Sequence, residues 1–300
     1  MLHAGDVPFS NTMTANKKQT VIFVHVPKTA GETLGQIIAR QYPDEAYLTF
    51  ETDITGMYAE FLESDVSERS RYSMIKGHIP YGTHRYIERE CRYFTFLREP
   101  IERTISHYYY LARMKSHPLA EQSGDTFVSF DELLLRGLDR TFFNSHTRLL
   151  SGVWYDAEPG MCTREHLEMA KENLRKKFTV VGLTEKFDES LMLLQDAFSW
   201  KDLRYFRANV TKNRPTKASL SPETLALVEN ANVLDKELYL FGRELFDKKM
   251  EGRRDEIDER VKRFRRANRL YGLIHSTIYA VRQRSVRAFI REHWPSRKLL

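Results

Sequence analysis

The stretch that most constrains this chain is residues 20–38. There an apolar β-branched run, TVIFVHV, stops at Pro27 and passes through Lys28-Thr29-Ala30-Gly31-Glu32-Thr33 into a helical pattern carried by Leu34, Ile37 and Ile38. A strand apolar on both faces, a tight turn and a helix make the opening unit of a buried parallel sheet. The same layout aims the unpaired N–H groups and the dipole of the helix's first turn at an anion. Lys28 adds a point charge, Gly31 lets the backbone come close, and Thr29 and Thr33 add hydroxyls, while Ala30 and Glu32 supply backbone N–H groups. The nucleotide triphosphatase pattern G-x-x-x-x-G-K-[ST] does not fit, because neither its first glycine nor its lysine is present around Gly31.

Three more β-branched or aromatic runs, at 71–77, 91–97 and 177–183, alternate with helical patterns. The helices expected are Thr33–Gln41, Pro100–Arg113, Phe130–Arg136, Thr163–Arg175, Glu185–Phe198, Ser221–Asn230 and Leu234–Lys249. That alternation predicts an α/β chain with a central, mainly parallel sheet covered by helices on both faces. Residues 1–18 read as a disordered leader, 19–249 as the catalytic domain and 250–300 as a basic, amphipathic helical extension. Between them, residues 115–126 read as a surface loop of a length often used as a lid.

A second anion site is written at residues 96–109. The strand over 91–97 ends in Arg98-Glu99-Pro100, with Pro100 where a first helical residue belongs. Arg98 therefore stands at the carboxyl end of a strand, the edge where parallel sheets bind ligands. Ser106 follows about two turns into the next helix, and a guanidinium with a hydroxyl makes a clamp for one phosphate.

Both stretches resemble one family. HVPKTAGET resembles the 5′-phosphosulfate loop of carbohydrate sulfotransferases, H-[IV]-P-K-T-[AG]-G-[TS]-[TS], with Glu32 in place of a hydroxyl residue. FLREPIERTISHYY resembles that family's motif F-x-R-[DE]-P-x-x-R-x-x-S-x-[YF], whose matching arginine and serine, here Arg98 and Ser106, hold the 3′-phosphate of the donor. Further likeness in KGHIPYG, NSHTRLLSG, FTVVGLTEKFDESLMLL and NVTKNRPTKASLSPETLALVE extends over most of residues 20–247. These segments look like the bacterial members of the family that includes the heparan sulfate 2-O- and 6-O-sulfotransferases. The resemblance implies a P-loop-like three-layer α/β/α fold and 3′-phosphoadenosine 5′-phosphosulfate (PAPS) as sulfuryl donor. It also implies a hydroxyl of a glycan or glycolipid as acceptor.

Such a transfer asks for a group that steadies the leaving phosphate, for which Lys28 is placed, and for a base titrating near neutrality. His78 is the candidate base, because the strand over 71–77 delivers it to the same sheet edge as the phosphate loop. A histidine in the corresponding G-H segment of related enzymes has that role. His84, Glu32 and His25 stand in reserve, with His25 read as orienting the loop. Asn144, Arg148 and His84, together with Lys212 and Lys217, are candidate donor or acceptor contacts. Tyr81, Tyr86 and Tyr108–Tyr110 are candidates for stacking on sugars. No acidic cluster has metal spacing, and no metal is expected.

Charge separates the parts of the chain. Residues 251–300 hold 14 Lys/Arg against 6 Asp/Glu, an excess larger than the net +6 of the whole chain, so residues 1–250 are slightly acidic. A nucleic-acid face on the main domain is therefore not expected, whereas the tail suits an anionic membrane surface or a packing partner. The first twenty residues lack a signal peptide's apolar core, which sets a cytoplasmic expectation, with the inner membrane surface open to the tail. Cys91 and Cys162 are expected as free thiols. Two alternatives share these features: an ATP-dependent kinase, and a non-catalytic polyanion- or membrane-binding protein on the same fold.

Overall fold

The computed structural model describes residues 19–50, 54–114, 118–121, 127–153, 161–206 and 216–293. Its first half runs β1 (Thr20–Val24), α1 (Gly31–Ile38), β2 (Tyr47–Phe50), α2 (Ile54–Glu63), α3 (Val66–Arg69), β3 (Met74–Gly77), β4 (Cys91–Leu97) and α4 (Pro100–Leu111). The second half runs α5 (Pro118–Glu121), α6 (Phe130–Leu135), α7 (Ser145–Ser151), α8 (Arg164–Lys176), β5 (Phe178–Leu183), α9 (Phe187–Phe198), α10 (Pro222–Ala231), α11 (Val233–Met250) and α12 (Arg254–His293). The strands form one five-stranded sheet in the order β2-β3-β1-β4-β5, and every pairing is parallel.

Side-chain alternation sorts the helices onto two faces. Phe94 meets Phe198 and Trp200, and Phe96 meets Phe187, so the even residues of β4 face α9 and its following loop. Gly242 of α11 lies so close to Leu97 and Val181 that a Cβ there would sit 2.2 Å from Leu97 Cδ1, which puts the odd residues of β4 against α11. Phe23 stacks on Phe94 at 4.5 Å and so shares the α9 side, where α1 also lies. The result is three layers, with β1 buried along its whole length at the centre. A second, smaller apolar cluster joins α4, α6 and α10 through Ile101, Ile105, Leu133, Phe142 and Val228.

The expected extension from residue 250 is not separate from the domain at its start. Ile257 and Val261 of α12 are buried in the main core, Phe264 packs against it, and Asn268 Oδ1 accepts a hydrogen bond from Tyr205 N at 2.7 Å. Tyr271 lies beneath the guanidinium of Arg204, 4.9 Å from its ring centre. Chain separation therefore occurs at Glu251–Arg253, but the first turns of α12 belong to the packed body. Among the described residues no helix is long and apolar enough to cross a membrane. Both cysteines are free thiols. The expected loop at 115–126 lies mostly outside the described residues, apart from the turn of α5.

Candidate active site

Because all five strands are parallel, their carboxyl ends meet on one edge, and the residues that follow β1, β3 and β4 are gathered there. The loop after β1 is held in an unusual shape. Lys28 and Ala30 both have positive φ, 70° and 67°, although neither is glycine. Thr29 between them is fully buried, and its Oγ1 donates to Val26 O at 2.8 Å, which staples the turn. Ala30 is the N-cap of α1 and has no side chain to satisfy the first-turn N–H groups of Gly31, Glu32 and Thr33. The first helical bond is Leu34 N to Ala30 O at 3.0 Å. These amides and the helix dipole are directed at the edge, as an anion requires.

Gly31 has a second demand on its missing side chain. A Cβ on it would stand 1.9 Å from His25 Cε1 and 2.0 Å from His25 Nε2, so its missing side chain makes room for the His25 ring. His25 stacks on Phe23 at 5.2 Å and lies 4.4 Å from the His78 ring. Burial, with the positive charges of His78, Lys76 and Lys28 nearby, holds its imidazole well below the usual histidine range. A neutral, packed ring of this kind braces the loop and is a poor base. Lys76, which sequence reading passed over inside a strand, is buried on the same face, with its Nζ against α1 at Gly35. The available signal was a lysine set inside the strand run at 71–77.

The corner after β4 is built from side chains. Glu99 caps α4 by accepting from Glu102 N at 2.7 Å, and Pro100 occupies the first helical position. Arg98 is half-buried, and its Nη1 donates to Lys28 O at 3.0 Å. The two loops, 70 residues apart in sequence, are thus in direct contact. Lys28 Nζ in turn lies 3.8 Å above the ring of Tyr110. Ser106 is one helical turn before Tyr110, which puts its hydroxyl on the side of α4 that the Lys28 ammonium covers.

His78 stands beside His25 at the start of the β1 loop. Its Nδ1 is 2.6 Å from His25 O, a carbonyl that can only accept, so Nδ1 carries the proton and Nε2 is the basic nitrogen. The backbone N–H of His78 donates to Phe50 O at 3.1 Å. Orientation by a carbonyl in this way fixes the tautomer that a general base needs.

Other candidates are elsewhere. His84 is a correction: it follows β3 by a few residues, yet the chain turns back, and both its N and its Nδ1 lie 2.9 Å from Tyr93 Oη. Tyr93 belongs to the middle of β4, and His84 packs edge-on against its ring at 5.5 Å, so its hydrogen bonds go to that strand rather than to the Lys28 loop. Asn144 is spent on structure, since its Oδ1 accepts from Leu234 N and Asp235 N at 3.0 and 3.1 Å and so caps α11. Arg148 is entirely buried within α7 and presents no surface to an acceptor. Lys217 is exposed and pairs with Glu229 at 3.4 Å, while Lys212 lies outside the described residues. Tyr81 is buried core, Tyr108 stacks on Phe130 at 4.3 Å, Tyr109 packs on the second apolar cluster and Tyr86 is exposed, whereas Tyr110 lies under the Lys28 ammonium. Among the described residues no group of three His, Cys, Asp or Glu side chains is placed to hold a metal ion.

Comparison with known proteins places the chain among sulfotransferase relatives. Human galactosylceramide sulfotransferase is 26% identical over 267 residues, covering 84% of this chain and 62% of the relative. Heparan sulfate 2-O-sulfotransferase hst-2 of Caenorhabditis elegans is 25% identical over 283 residues, covering 82% of this chain and 84% of the relative. The chain thus spans about three-fifths of the length of the galactosylceramide sulfotransferases it matches. A looser three-dimensional likeness, TM-score 0.37 at 16% identity, is to mouse sulfotransferase SULT7A1 complexed with PAP, over 74% of this chain and 67% of that one. The galactose-3-O-sulfotransferase family model matches residues 3–285, a span that takes in both anion loops, His78 and most of α12, and the chain belongs to that family.

Proposed function

We propose that this protein is a sulfotransferase that moves a sulfuryl group from PAPS to a hydroxyl of a carbohydrate acceptor, on a glycan or a glycolipid. The observation that carries the reading is the 3.0 Å bond from Arg98 Nη1 to Lys28 O, which brings the two anion loops side by side. A donor with phosphates at both its 3′ and 5′ positions needs two anion pockets side by side, whereas a nucleoside triphosphate presents one chain of phosphates. Ser106 and Arg98 would take the 3′-phosphate, and Lys28 with the first turn of α1 the 5′-phosphosulfate.

The chemistry follows from these placements. The acceptor oxygen attacks sulfur in line with the bond to the 5′-phosphate, and that sulfur–oxygen bond breaks as the new one forms. His78 Nε2 takes the acceptor's proton, and the negative charge left on the phosphate oxygen is met by Lys28 and the α1 amides. Galactosylceramide and heparan sulfate, the compounds in the names of the relatives, both carry sugar hydroxyls, which is the chemical class proposed for the acceptor here.

The test is transfer of labelled sulfate from PAPS, without added metal, to a panel of galactose-ended glycolipids and unsulfated glycosaminoglycans. Transfer to a sugar hydroxyl is expected, and His78→Ala should lower turnover by about 10²–10⁴-fold while binding of adenosine 3′,5′-bisphosphate persists. Transfer of phosphate from ATP in the presence of Mg²⁺, with none from PAPS, would instead make the protein a kinase.

A further inference from the structure

The residue that follows β4 is held from behind by a buried polar chain that the proposed chemistry does not use. Asp235, the third residue of α11, is fully buried, and its two oxygens accept four hydrogen bonds. Oδ2 takes His146 N and His146 Nδ1, both at 2.9 Å; Oδ1 takes Thr147 N and Thr147 Oγ1, both at 2.8 Å. Because Asn144 caps α11 in return, α7 and α11 are locked end to end. A buried carboxylate with a hydrogen bond on each lone pair has a fixed place and direction.

This fixes the imidazole of His146 as well. With Nδ1–H committed to Asp235, Nε2 is left as an acceptor, and the N–H it meets is that of Arg98, at 3.4 Å. The flanking backbone is held too, by Thr184 Oγ1 donating to Leu97 O at 3.1 Å and by Glu99 N donating to Glu185 Oε1 at 2.8 Å. Of these three ties, the one to Arg98 N comes from a histidine 1% exposed and backed by a carboxylate 0% exposed. A protonated His146, or its other tautomer, would set an Nε2–H against the Arg98 N–H and push the corner away.

We infer that Asp235 and His146 are positioning residues for donor binding. Asp235 selects the His146 tautomer, and His146 holds the Arg98 backbone where its guanidinium reaches both Lys28 O and the donor's 3′-phosphate. The inference rests on the reading of Arg98 as the 3′-phosphate ligand. Neither residue touches a reacting atom, so the expected signature is in nucleotide selectivity.

The test compares His146→Gln, whose amide oxygen can take the place of Nε2, with His146→Asn, which keeps only the donor to Asp235. Asp235→Asn, which favours the opposite tautomer, serves as a second variant should either fold poorly. Calorimetry would measure adenosine 3′,5′-bisphosphate against adenosine 5′-monophosphate, with thermal unfolding alongside. Expected is a loss of about 10-fold in bisphosphate affinity for His146→Asn and Asp235→Asn, the scale of one buried hydrogen bond left unmade. His146→Gln should stay within about 3-fold, and monophosphate affinity should hold in all three. Wild-type selectivity retained in both His146→Asn and Asp235→Asn overturns the positioning role alone, as does an equal loss for both nucleotides. A wild-type protein that binds the two nucleotides equally removes the assignment of Arg98, and this inference with it.

Discussion

The corners after β1 and β4 meet at the Lys28 carbonyl but are made by opposite means. After β1 the chain takes two left-handed steps on non-glycine residues, Lys28 and Ala30, each costing about 1–2 kcal/mol, and its helix starts with no side-chain cap. After β4 no residue has positive φ, the helix starts on a Glu99 cap with Pro100 behind it, and Leu97, Arg98 and Glu99 are each tied by a side chain from another element. The first corner is a surface of backbone amides whose shape would make the proposed 5′-phosphosulfate pocket, and strain at such a place persists only when its surroundings enforce it. The second is a relaxed turn that delivers one guanidinium to a fixed point. Changes in backbone space should therefore damage the first, and changes in polar partners the second.

Gly31→Ala should give the larger effect. A methyl in the space of the His25 ring forces ring or loop to move, an overpacking cost of about 2–3 kcal/mol. On the proposed reading the loop's shape holds the 5′-phosphate common to both nucleotides, so affinity for the monophosphate and the bisphosphate should fall together. Thermal unfolding and calorimetry would check this, and near wild-type values for both would mean that the loop does not depend on the His25 brace.

Glu99→Ala should give the smaller effect, about 1 kcal/mol of stability for a lost cap. Only the bisphosphate should bind more weakly, by a few-fold, since the β1 corner is untouched. A loss of monophosphate affinity as large as that of the bisphosphate would erase the distinction between the two corners.

Local signals made both corners readable in the sequence. An apolar strand, a proline and a helical period lie within about fifteen residues in each case, and β4 and the start of α4 fall where the pattern puts them. What escaped depends on packing between distant segments. β2 is a four-residue edge strand, half-exposed, with too little alternation to stand out. α7 is buried along its whole length although five of its seven residues are polar, so it has no solvent face and no amphipathic period. The same burial misleads about Asn144 and Arg148, which read as ligand contacts and prove to be structural. Nothing near Asp235 in the sequence marks that acid as the one directed inward, because its partners lie about ninety residues earlier. Gly31 was legible as a close approach; that the His25 ring is one of the groups approaching it was not.

The central claim is that two neighbouring anion pockets grip one doubly phosphorylated nucleotide, and the direct measurement is the calorimetric affinity of adenosine 3′,5′-bisphosphate and adenosine 5′-monophosphate for wild type and Arg98→Ala. The account predicts that wild type prefers the bisphosphate by about 10–100-fold, the scale of a charge-assisted contact, and that Arg98→Ala reduces this preference to near unity with little change for the monophosphate. An Arg98→Ala protein that keeps the wild-type preference would contradict it.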